Sequence, residues 1–348
     1  MKKIIVLFSL FGCLASFFSC STKVDLYADY KDVPIVFGII NHKADTNYIK
    51  ITKAFCGSND NPINANEVAL ISDSSNYQEK LEVYIVESQS TSGQAYQWTG
   101  RKFVFDTITI HNKENGTFYS PDQTLYYTTE RFHTNNNSNK YKYKLFIVKP
   151  NGDTLKAETV PVGGNVEILS AGASFQSSQS DAVQKLFFRS SEEAILYDIK
   201  MQFNYEEEHP GQARTQKNVS WSYGAKTLSE YERMGDFTDA YSLNYSVNTL
   251  FNALSNKIGG DTIWDVNHPN VTRYIGDFIV SMTVAGRELY EIYEMSNVME
   301  NGFTNTNYTN IKGGYGLFSS RTIVSKKLKF NSTTKRDIFR MPWGFVEE

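Results

Sequence analysis

The sequence predicts a mainly β protein, with an N-terminal immunoglobulin-like antiparallel β-sandwich followed by a C-terminal α+β domain. Three observations support this fold class. Aromatic residues are abundant, with 22 Tyr and 23 Phe, and together with Thr, Ile and Val they favour strands. The first half consists of short alternating runs separated by turn-rich stretches, a pattern typical of antiparallel sandwiches. Apolar residues at helical spacing are found only in the second half.

The chain begins with a pattern typical of a bacterial export signal. Two lysines precede the apolar run from Ile4 to Phe18, and Ser19-Cys20 follows it. The run is shorter than the roughly twenty residues that a membrane-spanning helix needs. Ser19-Cys20 resembles a relaxed lipobox, which predicts cleavage before Cys20 and acylation of its sulfur. Cleavage at Cys13 would leave a hydrophobic region of only about eight residues. The remaining alternative is ordinary signal cleavage, with Cys20 as a plain thiol.

This cleavage site and the composition divide the chain into four parts. Residues 1–19 are predicted to be the signal peptide, 20–31 a polar tether, 32–163 the β-sandwich and 164–348 the α+β domain. A chain of 348 residues is long enough for two domains. Since two or three acyl chains hold a protein firmly on a membrane, we expect a folded body that is tethered through its lipid.

Charge argues against nucleic-acid binding, and cysteine content argues against a disulfide within the chain. The formal net charge is -3, and loss of the two signal lysines makes it more negative. Nucleic-acid binding requires clustered Lys and Arg, and the basic residues here are scattered, so no nucleic-acid partner is expected. After processing, Cys56 alone remains in the folded body. It cannot form a disulfide within the chain, and its apolar neighbours predict a buried small hydrophobe.

Six strands and a hairpin are predicted in the first half. The strands cover about residues 35–40, 48–56, 81–86, 102–110, 125–128 and 141–148. In the last of them, apolar and lysine side chains alternate, which predicts a half-buried face. Asn151-Gly152 then predicts a tight type I′ turn into a strand over residues 154–160.

The second half is predicted to begin near Gly163-Gly164 and to mix strands with helices. Regular alternation over residues 195–205 is the clearest strand signal in the chain, and a returning strand is expected around Trp221. A helix is predicted over residues 247–258 behind a Ser246 cap. A strand over 278–284, a second helix over 287–299 and a final strand over 318–327 complete the prediction.

Three segments resemble a family of lipoproteins. They are Val36-Phe37-Gly38-Ile39-Ile40-Asn41, the run from Tyr48 to Phe55, and Asn310-Ile311-Lys312-Gly313-Gly314-Tyr315-Gly316-Leu317-Phe318. The chain is similar to the domain-of-unknown-function lipoproteins of Bacteroidota, in which an N-terminal β-sandwich follows the lipidated cysteine. The resemblance implies an outer-membrane lipoprotein that works with TonB-dependent receptors and has no established activity. It transfers no catalytic residue. A surface-export signal in such bacteria places acidic residues just after the lipidated cysteine. Because Ser21-Thr22-Lys23-Val24-Asp25 is only faintly acidic, both the periplasmic and the cell-surface side of the outer membrane are kept as alternatives.

Glycines and acidic residues give two weak site signals. Gly313, Gly314 and Gly316 lack the following helix and Lys-Ser or Lys-Thr of a phosphate loop, so a tight structural turn is predicted. Residues 206–209, three Glu and one His, follow a strand end, where consecutive side chains point in different directions and predict a solvated turn. His42, His111, His133 and His268 are isolated in sequence, and no spacing predicts a zinc site. No cofactor is expected.

Aromatic and threonine residues supply the remaining candidates. A sugar-stacking or partner-binding surface is one interpretation of seven aromatic residues, with core or cross-strand packing as the other: Tyr96, Trp98, Tyr126, Tyr127, Trp221, Trp264 and Trp343. Thr107, Thr154 and Thr262 stand in Asp-Thr-aliphatic triplets, which match an O-glycosylation pattern of Bacteroides-like exported proteins.

Three hypotheses for function follow. The leading one is a non-enzymatic outer-membrane lipoprotein that acts as a binding or accessory module of a transporter or surface assembly. The second is direct capture of a carbohydrate by an aromatic face. The third is a hydrolase with dispersed carboxylates, because the acid pair of a glycosidase leaves no local sequence signature; this hypothesis predicts a cleft between the two domains.

Overall fold

The computed structural model describes residues 33–54, 75–114, 119–120, 122–136, 138–177, 182–235, 239–258, 271–300 and 308–347. Over these residues the fold is mainly β with few helices, which confirms the predicted class. The immunoglobulin-like topology stays a prediction. We refer to residues 33–159 as the N-terminal unit and to residues 162–347 as the C-terminal unit.

Eight strands form most of the N-terminal unit. They are β1 (Pro34–Ile40), β2 (Asn47–Lys53), β3 (Glu82–Thr91), β4 (Gln97–Val104), β5 (Asp106–Ile110), β6 (Gln123–Thr128), β7 (Asn139–Val148) and β8 (Thr154–Thr159). Their burial alternates, as in β7, where Tyr141, Tyr143, Leu145 and Ile147 are buried and the lysines between them are not. This is the half-buried face that the sequence predicts.

The C-terminal unit adds ten strands and three α-helices among its described residues. The strands before the first helix are β9 (Glu167–Ile168), β10 (Gly172–Ala173), β11 (Val183–Arg189), β12 (Leu196–Glu208), β13 (Thr215–Thr227), β14 (Glu232–Arg233) and β15 (Ala240–Ser246). The remaining elements are α1 (Thr249–Ile258), β16 (Thr272–Ala285), α2 (Arg287–Glu300), β17 (Tyr315–Phe330), α3 (Ser332–Arg340) and β18 (Phe345–Val346).

One sheet extends through both units. Its order is β13-β12-β16-β17-β1-β2-β6-β5, with β10 beside β17 and β18 beside β16. A four-stranded sheet, β4-β3-β7-β8, shares one hydrophobic core with the β1 side of the large sheet. A second four-stranded sheet, β14-β15-β11-β9, shares a separate core with the β12 side.

Strand β17 belongs to both units. Its first half, Tyr315 to Ser320, pairs in parallel with β1, and its second half, Arg321 to Leu328, pairs antiparallel with β16. Phe318 is buried in the N-terminal core, whereas Leu328 is buried in the C-terminal core. The two cores are therefore joined by continuous backbone hydrogen bonding along a single strand.

The single strand predicted over residues 102–110 is wrong, because the structure divides it between two sheets. β4 pairs with β3, and β5 pairs with β6 in the opposite sheet. Phe105 lies at the crossing with its side chain buried, and its N–H donates to the Val83 carbonyl at 3.0 Å. Because the chain crosses between the sheets at Phe105, the side chains of Phe103 and Phe105 are both buried between the two layers.

Two local predictions are also wrong. Only Gly152 has a positive φ in the predicted type I′ turn, and its N–H donates to the Lys149 carbonyl at 2.9 Å. The loop is one residue longer because Pro150, with its fixed negative φ, occupies the first corner and Gly152 the left-handed position after it. Ser246 is not a helix cap: it ends β15, and its hydroxyl donates to Asn248 Oδ1 at 2.7 Å.

Candidate functional site

An exposed apolar surface covers the outward side of the N-terminal part of the large sheet. We call it the apolar face and define it by Ile35, Phe37, Tyr48, Tyr127 and Tyr315. In β1 the side chains of Val36 and Ile40 are buried, so Phe37 points the other way and is 54% exposed. Tyr48 is 46% and Tyr315 51% exposed. Large apolar side chains are thus concentrated on a rigid sheet surface.

The strand register pairs four of these five side chains, whereas Phe37 lies opposite Lys50 and the buried Leu317. Ile35 is the cross-strand neighbour of Tyr315, and Tyr48 is the neighbour of Tyr127. The rings of Tyr48 and Tyr127 have centroids 6.5 Å apart, which is within the range of favourable aromatic pairs. Both β1 and β2 are interior strands of this sheet, so backbone movement on the face is restricted.

An apolar groove lies between this face and helix α2. Its volume is about 520 Å³. Its lining includes Val33, Phe37, Ile292, Met295 and Tyr308. Burial first, and then a hydrogen bond to the Glu291 carboxylate, raise the pKa of the Tyr308 phenol well above its usual value. Tyr308 is therefore a neutral hydrogen-bonding group at the edge of an otherwise apolar depression.

The glycine segment positions Tyr315 on the apolar face. Gly316 has a φ of +112°, and a Cβ on it would lie 2.0 Å from the Val36 carbonyl oxygen. A Cβ on Gly314 would lie 2.7 Å from the Pro34 carbonyl oxygen. Only glycine permits such close approach of two strands, so these residues bring the start of β17 against β1.

Asn310 holds the same segment from its other end. Its side-chain amide donates to the Phe318 carbonyl at 2.6 Å, and its Oδ1 accepts the Phe318 N–H at 2.9 Å. The next residue, Ile311, is buried in the N-terminal core. The Asn-Ile-x-Gly-Gly-x-Gly-x-Phe segment therefore closes a backbone loop and fastens it to the sandwich.

The seven predicted aromatic residues do not form one surface. Trp343 is 4% exposed, and Trp221 packs in the C-terminal core at 6.0 Å from the Phe175 ring. Tyr126 is buried, and its hydroxyl accepts the Leu81 N–H at 3.0 Å. For these three the packing interpretation holds and the surface interpretation fails, because their strand or loop positions face a core. Trp264 lies outside the described residues.

Two of the predicted aromatics are exposed on the other sheet of the N-terminal unit. Trp98 on β4 is 67% exposed, and Tyr96 just before it is 40% exposed. Their neighbours are the lysines of β7, and Lys142 Nζ lies 4.8 Å from the Tyr96 ring centroid. The candidates that sequence reasoning grouped are therefore divided between two sheet faces and the two cores.

A cleft of about 430 Å³ lies where the two units meet. We call it the junction cleft; its lining includes Glu158, Glu192, Glu193 and Glu288. Glu288 accepts the Thr159 hydroxyl at 3.0 Å and the Ser319 hydroxyl at 2.9 Å. This carboxylate joins β8 of the N-terminal unit to the shared strand β17.

The carboxylates of the junction cleft differ in acidity. Burial is the main cause that raises the pKa of Glu288 above its usual value. Burial also acts to raise the pKa of Glu193, but hydrogen bonds from Asn135, Ser191 and Lys140 outweigh it and lower the pKa overall. Relative to an ordinary glutamate, the environment thus makes protonation easier for Glu288 and harder for Glu193.

A buried carboxylate network, which sequence reasoning missed, ties the β6–β7 connection to the sandwich. Glu87 is 1% exposed and lies 3.3 Å from Arg101 Nη1 and 2.9 Å from His133 Nδ1. Tyr143 donates its hydroxyl hydrogen to Glu87 Oε2 at 2.9 Å. Glu87 and Arg101 lie on neighbouring strands, but His133 joins them from a distant loop, so no local pattern indicates the group.

The solvated turn predicted over residues 206–209 is wrong for its three glutamates, because β12 extends to Glu208. Glu207 is largely buried and forms an ion pair with the buried Arg273 at 2.9 Å, while its other oxygen lies 3.2 Å from His209 Nε2. Glu206 and Glu208 both pair with Arg214. Arg273 is the cross-strand neighbour of Glu207 on β16. Sequence reasoning missed the pair because the two residues are distant in the chain.

The other predicted positions are distributed as follows. Thr154 is exposed at the start of β8, and Thr107 is half-buried in β5. Cys20, Cys56, Thr262 and His268 lie outside the described residues. Within the described ranges, no three His, Cys, Asp or Glu side chains are grouped so that they could hold a metal ion. None of the described helices has the length and apolar character needed to cross a membrane.

Comparison with known proteins gives no family assignment. No protein-family model matches the chain, and no curated protein does either.

Proposed function

We propose that the protein is a non-enzymatic, lipid-anchored outer-membrane module that binds a protein partner, such as a TonB-dependent receptor, through its apolar face. The observation that supports this most strongly is the concentration of exposed Phe37, Tyr48 and Tyr315 on one sheet. Contiguous exposed apolar patches mark interaction sites on soluble domains. Aromatic side chains also dominate the binding energy of protein interfaces.

The groups that resemble catalytic residues support a structural role instead. In the junction cleft, Glu288 receives two hydroxyl hydrogens, and Glu193 binds Asn135 at 2.7 Å and Ser191 at 2.8 Å. Glu87 is enclosed by Arg101, His133 and Tyr143. Since these carboxylates join elements that are distant in sequence, their burial is accounted for by folding.

The expected anchor would place the apolar face near the membrane. Cys20 precedes Val33, a residue of the apolar groove, by thirteen positions. A fully extended chain of that length reaches about 45 Å. Acylation of Cys20 would thus hold the groove within reach of the exposed surface of an outer-membrane receptor.

Photo-crosslinking in the native host tests the partner. A photoreactive phenylalanine analogue at Phe37 or Tyr48 is expected to yield adducts with an outer-membrane receptor, identified by mass spectrometry after solubilisation in mild detergent. The matched control is the same analogue at Val183, which is 56% exposed on β11. Absence of adducts from both apolar-face positions, or identical adducts from Val183, would contradict the proposal.

Two cysteine variants test the anchor. Cys20→Ser is expected to abolish acylation and the recovery of the mature chain with the outer membrane, because a single sulfur carries the lipid. Cys13→Ser is the control and is expected to leave both unchanged, since residue 13 is removed with the signal. Mass spectrometry of the native protein provides the readout, and an unmodified Cys20 sulfur would overturn the anchor.

A second candidate function is hydrolysis in the junction cleft. The observation that favours it is the opposite displacement of the Glu193 and Glu288 pKa values, a combination typical of acid and base pairs. Under this alternative, Glu288→Gln and Glu193→Gln would each abolish polysaccharide hydrolysis, while the exposed Glu192→Gln would not. Hydrolysis that survives both substitutions, or none by the unaltered chain, would exclude it.

A further inference from the structure

We propose that the protein has a second binding site, for an acidic oligosaccharide, on the outward side of β4, β3, β7 and β8. We call this surface the lysine face and define it by Trp98, Tyr84, Phe146, Lys142 and Lys144. It lies on the sheet opposite the apolar face. The inference does not depend on the partner proposed above.

Strand register arranges the lysine face in three rows. Trp98 is opposite Ser88, which is opposite Lys142. In the next row, Val86 lies between Lys102 and Lys144, and Glu158 follows on β8. In the third row, Tyr84 is opposite Phe146. In β3, β7 and β8 these side chains alternate with buried residues, and the register sets Trp98 and Lys102 of β4 beside them, so they share one side of the sheet.

One exposed aromatic side chain, Trp98, borders a shallow depression on this face. The depression measures about 290 Å³, and Trp98, Ser88, Val86 and Tyr84 contribute to its lining. A register shift between Val86 and Ser88 sets Trp98 across from the small Ser88 side chain. The Tyr84 and Phe146 rings are stacked on each other at 5.1 Å, and Lys102 Nζ lies 3.7 Å from the centroid of the Tyr84 ring. Trp98 is therefore the ring of this depression that is open to a ligand.

The charge of the lysine face selects an anionic ligand. Four lysines, Lys102, Lys142, Lys144 and Lys156, project from these rows beside two glutamates, Glu82 and Glu158. The face is therefore positive, although the whole chain has a formal charge of -3. Lys144 pairs closely with Glu158 at 2.7 Å, whereas Lys142 is 3.9 Å from it. Lys142 is thus the ammonium group beside Trp98 that is placed to receive a ligand carboxylate.

An acidic sugar chain fits this combination of groups. The C–H face of a pyranose ring stacks on an exposed aromatic ring, and Trp98 offers such a ring beside the depression. The lysines lie in three successive strand rows, a spread that fits several sugar units of one chain. Uronate carboxylates match the lysine ammonium groups, and the Ser88 hydroxyl supplies a neutral hydrogen-bonding partner between them. Lys142, Lys144 and Glu158 also line this depression, which makes it less suited to a protein interface, whose centre excludes charged groups.

Affinity electrophoresis of the full-length protein in mild detergent tests the site. Native gels that contain polygalacturonate are expected to retard the protein, and gels that contain neutral dextran are not. Trp98→Ala should weaken binding about tenfold, because it removes an exposed aromatic anchor. Lys142→Met should weaken it about threefold and reduce its dependence on salt. Both residues are exposed or half-exposed, so thermal unfolding should be unchanged.

Phe37→Ala is the matched control, because it removes an exposed aromatic residue from the apolar face only. It should leave retardation by polygalacturonate unchanged even if it abolishes crosslinking to a receptor. Equal retardation by dextran, no retardation by polygalacturonate, or a Trp98→Ala variant that binds normally would overturn the site. Binding to phosphatidylglycerol vesicles without binding to polygalacturonate would overturn it in favour of a membrane surface.

Discussion

At the scale of single residues, the most informative side chain is the buried carboxylate of Glu87. Its partners Arg101 and His133 are each partly exposed, while Glu87 itself is 1% exposed. A buried charge loses its hydration, so its stability in the fold depends on these partners and on the Tyr143 hydroxyl. Without the carboxylate, Arg101 and His133 lose their shared acceptor, and the loop before β7 loses its attachment to β3.

Glu87→Ala is therefore expected to lower the free energy of unfolding by about 2 kcal/mol, because Arg101, Thr99 and the buried Tyr143 lose a charged hydrogen-bond acceptor. Glu82→Ala is the control on the same strand, where an exposed ion pair with Lys102 contributes at most about 1 kcal/mol. Urea denaturation of both variants provides the measurement. Equal losses in the two variants would show that the Glu87 network adds nothing beyond an ordinary surface pair.

Glu288 gives a pH-dependent prediction at the same scale. Burial raises its folded pKa above the unfolded value of 4.5, so the folded state holds its proton to higher pH than the unfolded state does. The charged form is therefore penalised in the fold, and this penalty is absent below the unfolded pKa and grows as pH rises through the folded pKa. We expect Glu288→Gln to gain stability relative to the parent between pH 4 and pH 7.

Urea denaturation at several pH values between 4 and 7 measures this gain. The control is Glu192→Gln in the same cleft, whose side chain is 81% exposed and should show little change with pH. A stability difference between Glu288→Gln and the parent that stays constant over this range would contradict the assignment of the raised pKa.

At the scale of elements, regular alternation was a reliable guide and irregular segments were not. Burial alternates in β7 from Tyr141 to Val148 and in β12 from Tyr197 to Tyr205, and the sequence predicts strands over 141–148 and 195–205. The sequence does not indicate β11, because its first three residues are exposed or half-buried and only Leu186 and Phe188 are buried in alternation. Helix α3 was missed because only Thr334 and Ile338 are buried, a stripe too narrow to show helical periodicity.

The start of β17 gives a prediction at this scale. Gly316→Ala should lower the free energy of unfolding by about 3 kcal/mol, because a Cβ would meet the Val36 carbonyl at 2.0 Å at a φ of +112°. Gly211→Ala is the control, since Gly211 also has a positive φ of +74° but has no atom within 4 Å of an added Cβ. It should cost about 1 kcal/mol. Thermal and urea unfolding of the two variants measure the difference, because both carry backbone strain and only Gly316→Ala adds the close contact. Similar losses of stability in the two variants would contradict a role for the close contact.

At the scale of the whole molecule, β17 is the strand that joins the two hydrophobic cores. The sequence correctly indicates strands and turns, but it cannot indicate that β1 pairs in parallel with a strand almost three hundred residues later. Local periodicity gives which face of a strand is buried, and it does not give the strand's neighbour. For the same reason the two sheet faces and the junction cleft could not be assembled from the sequence, since each combines residues from distant strands.

This continuity predicts that the two units unfold together. Phe318 is fully buried in the N-terminal core, and its strand continues into pairing with β16. Phe318→Ala should destabilise the protein by about 3 to 5 kcal/mol through the cavity it creates. Because the shared strand carries the disturbance along its backbone, amide hydrogen exchange should accelerate in β16 as well as in β3.

Ile85→Ala provides the comparison for this effect, since Ile85 is equally buried in the N-terminal core but lies on β3, which pairs only with β4 and β7. At matched destabilisation, Phe318→Ala should accelerate exchange in β16 more than Ile85→Ala does. If exchange in β16 stays at the parental rate in the Phe318 variant while β3 loses protection, the units fold independently, and β17 joins them only in geometry.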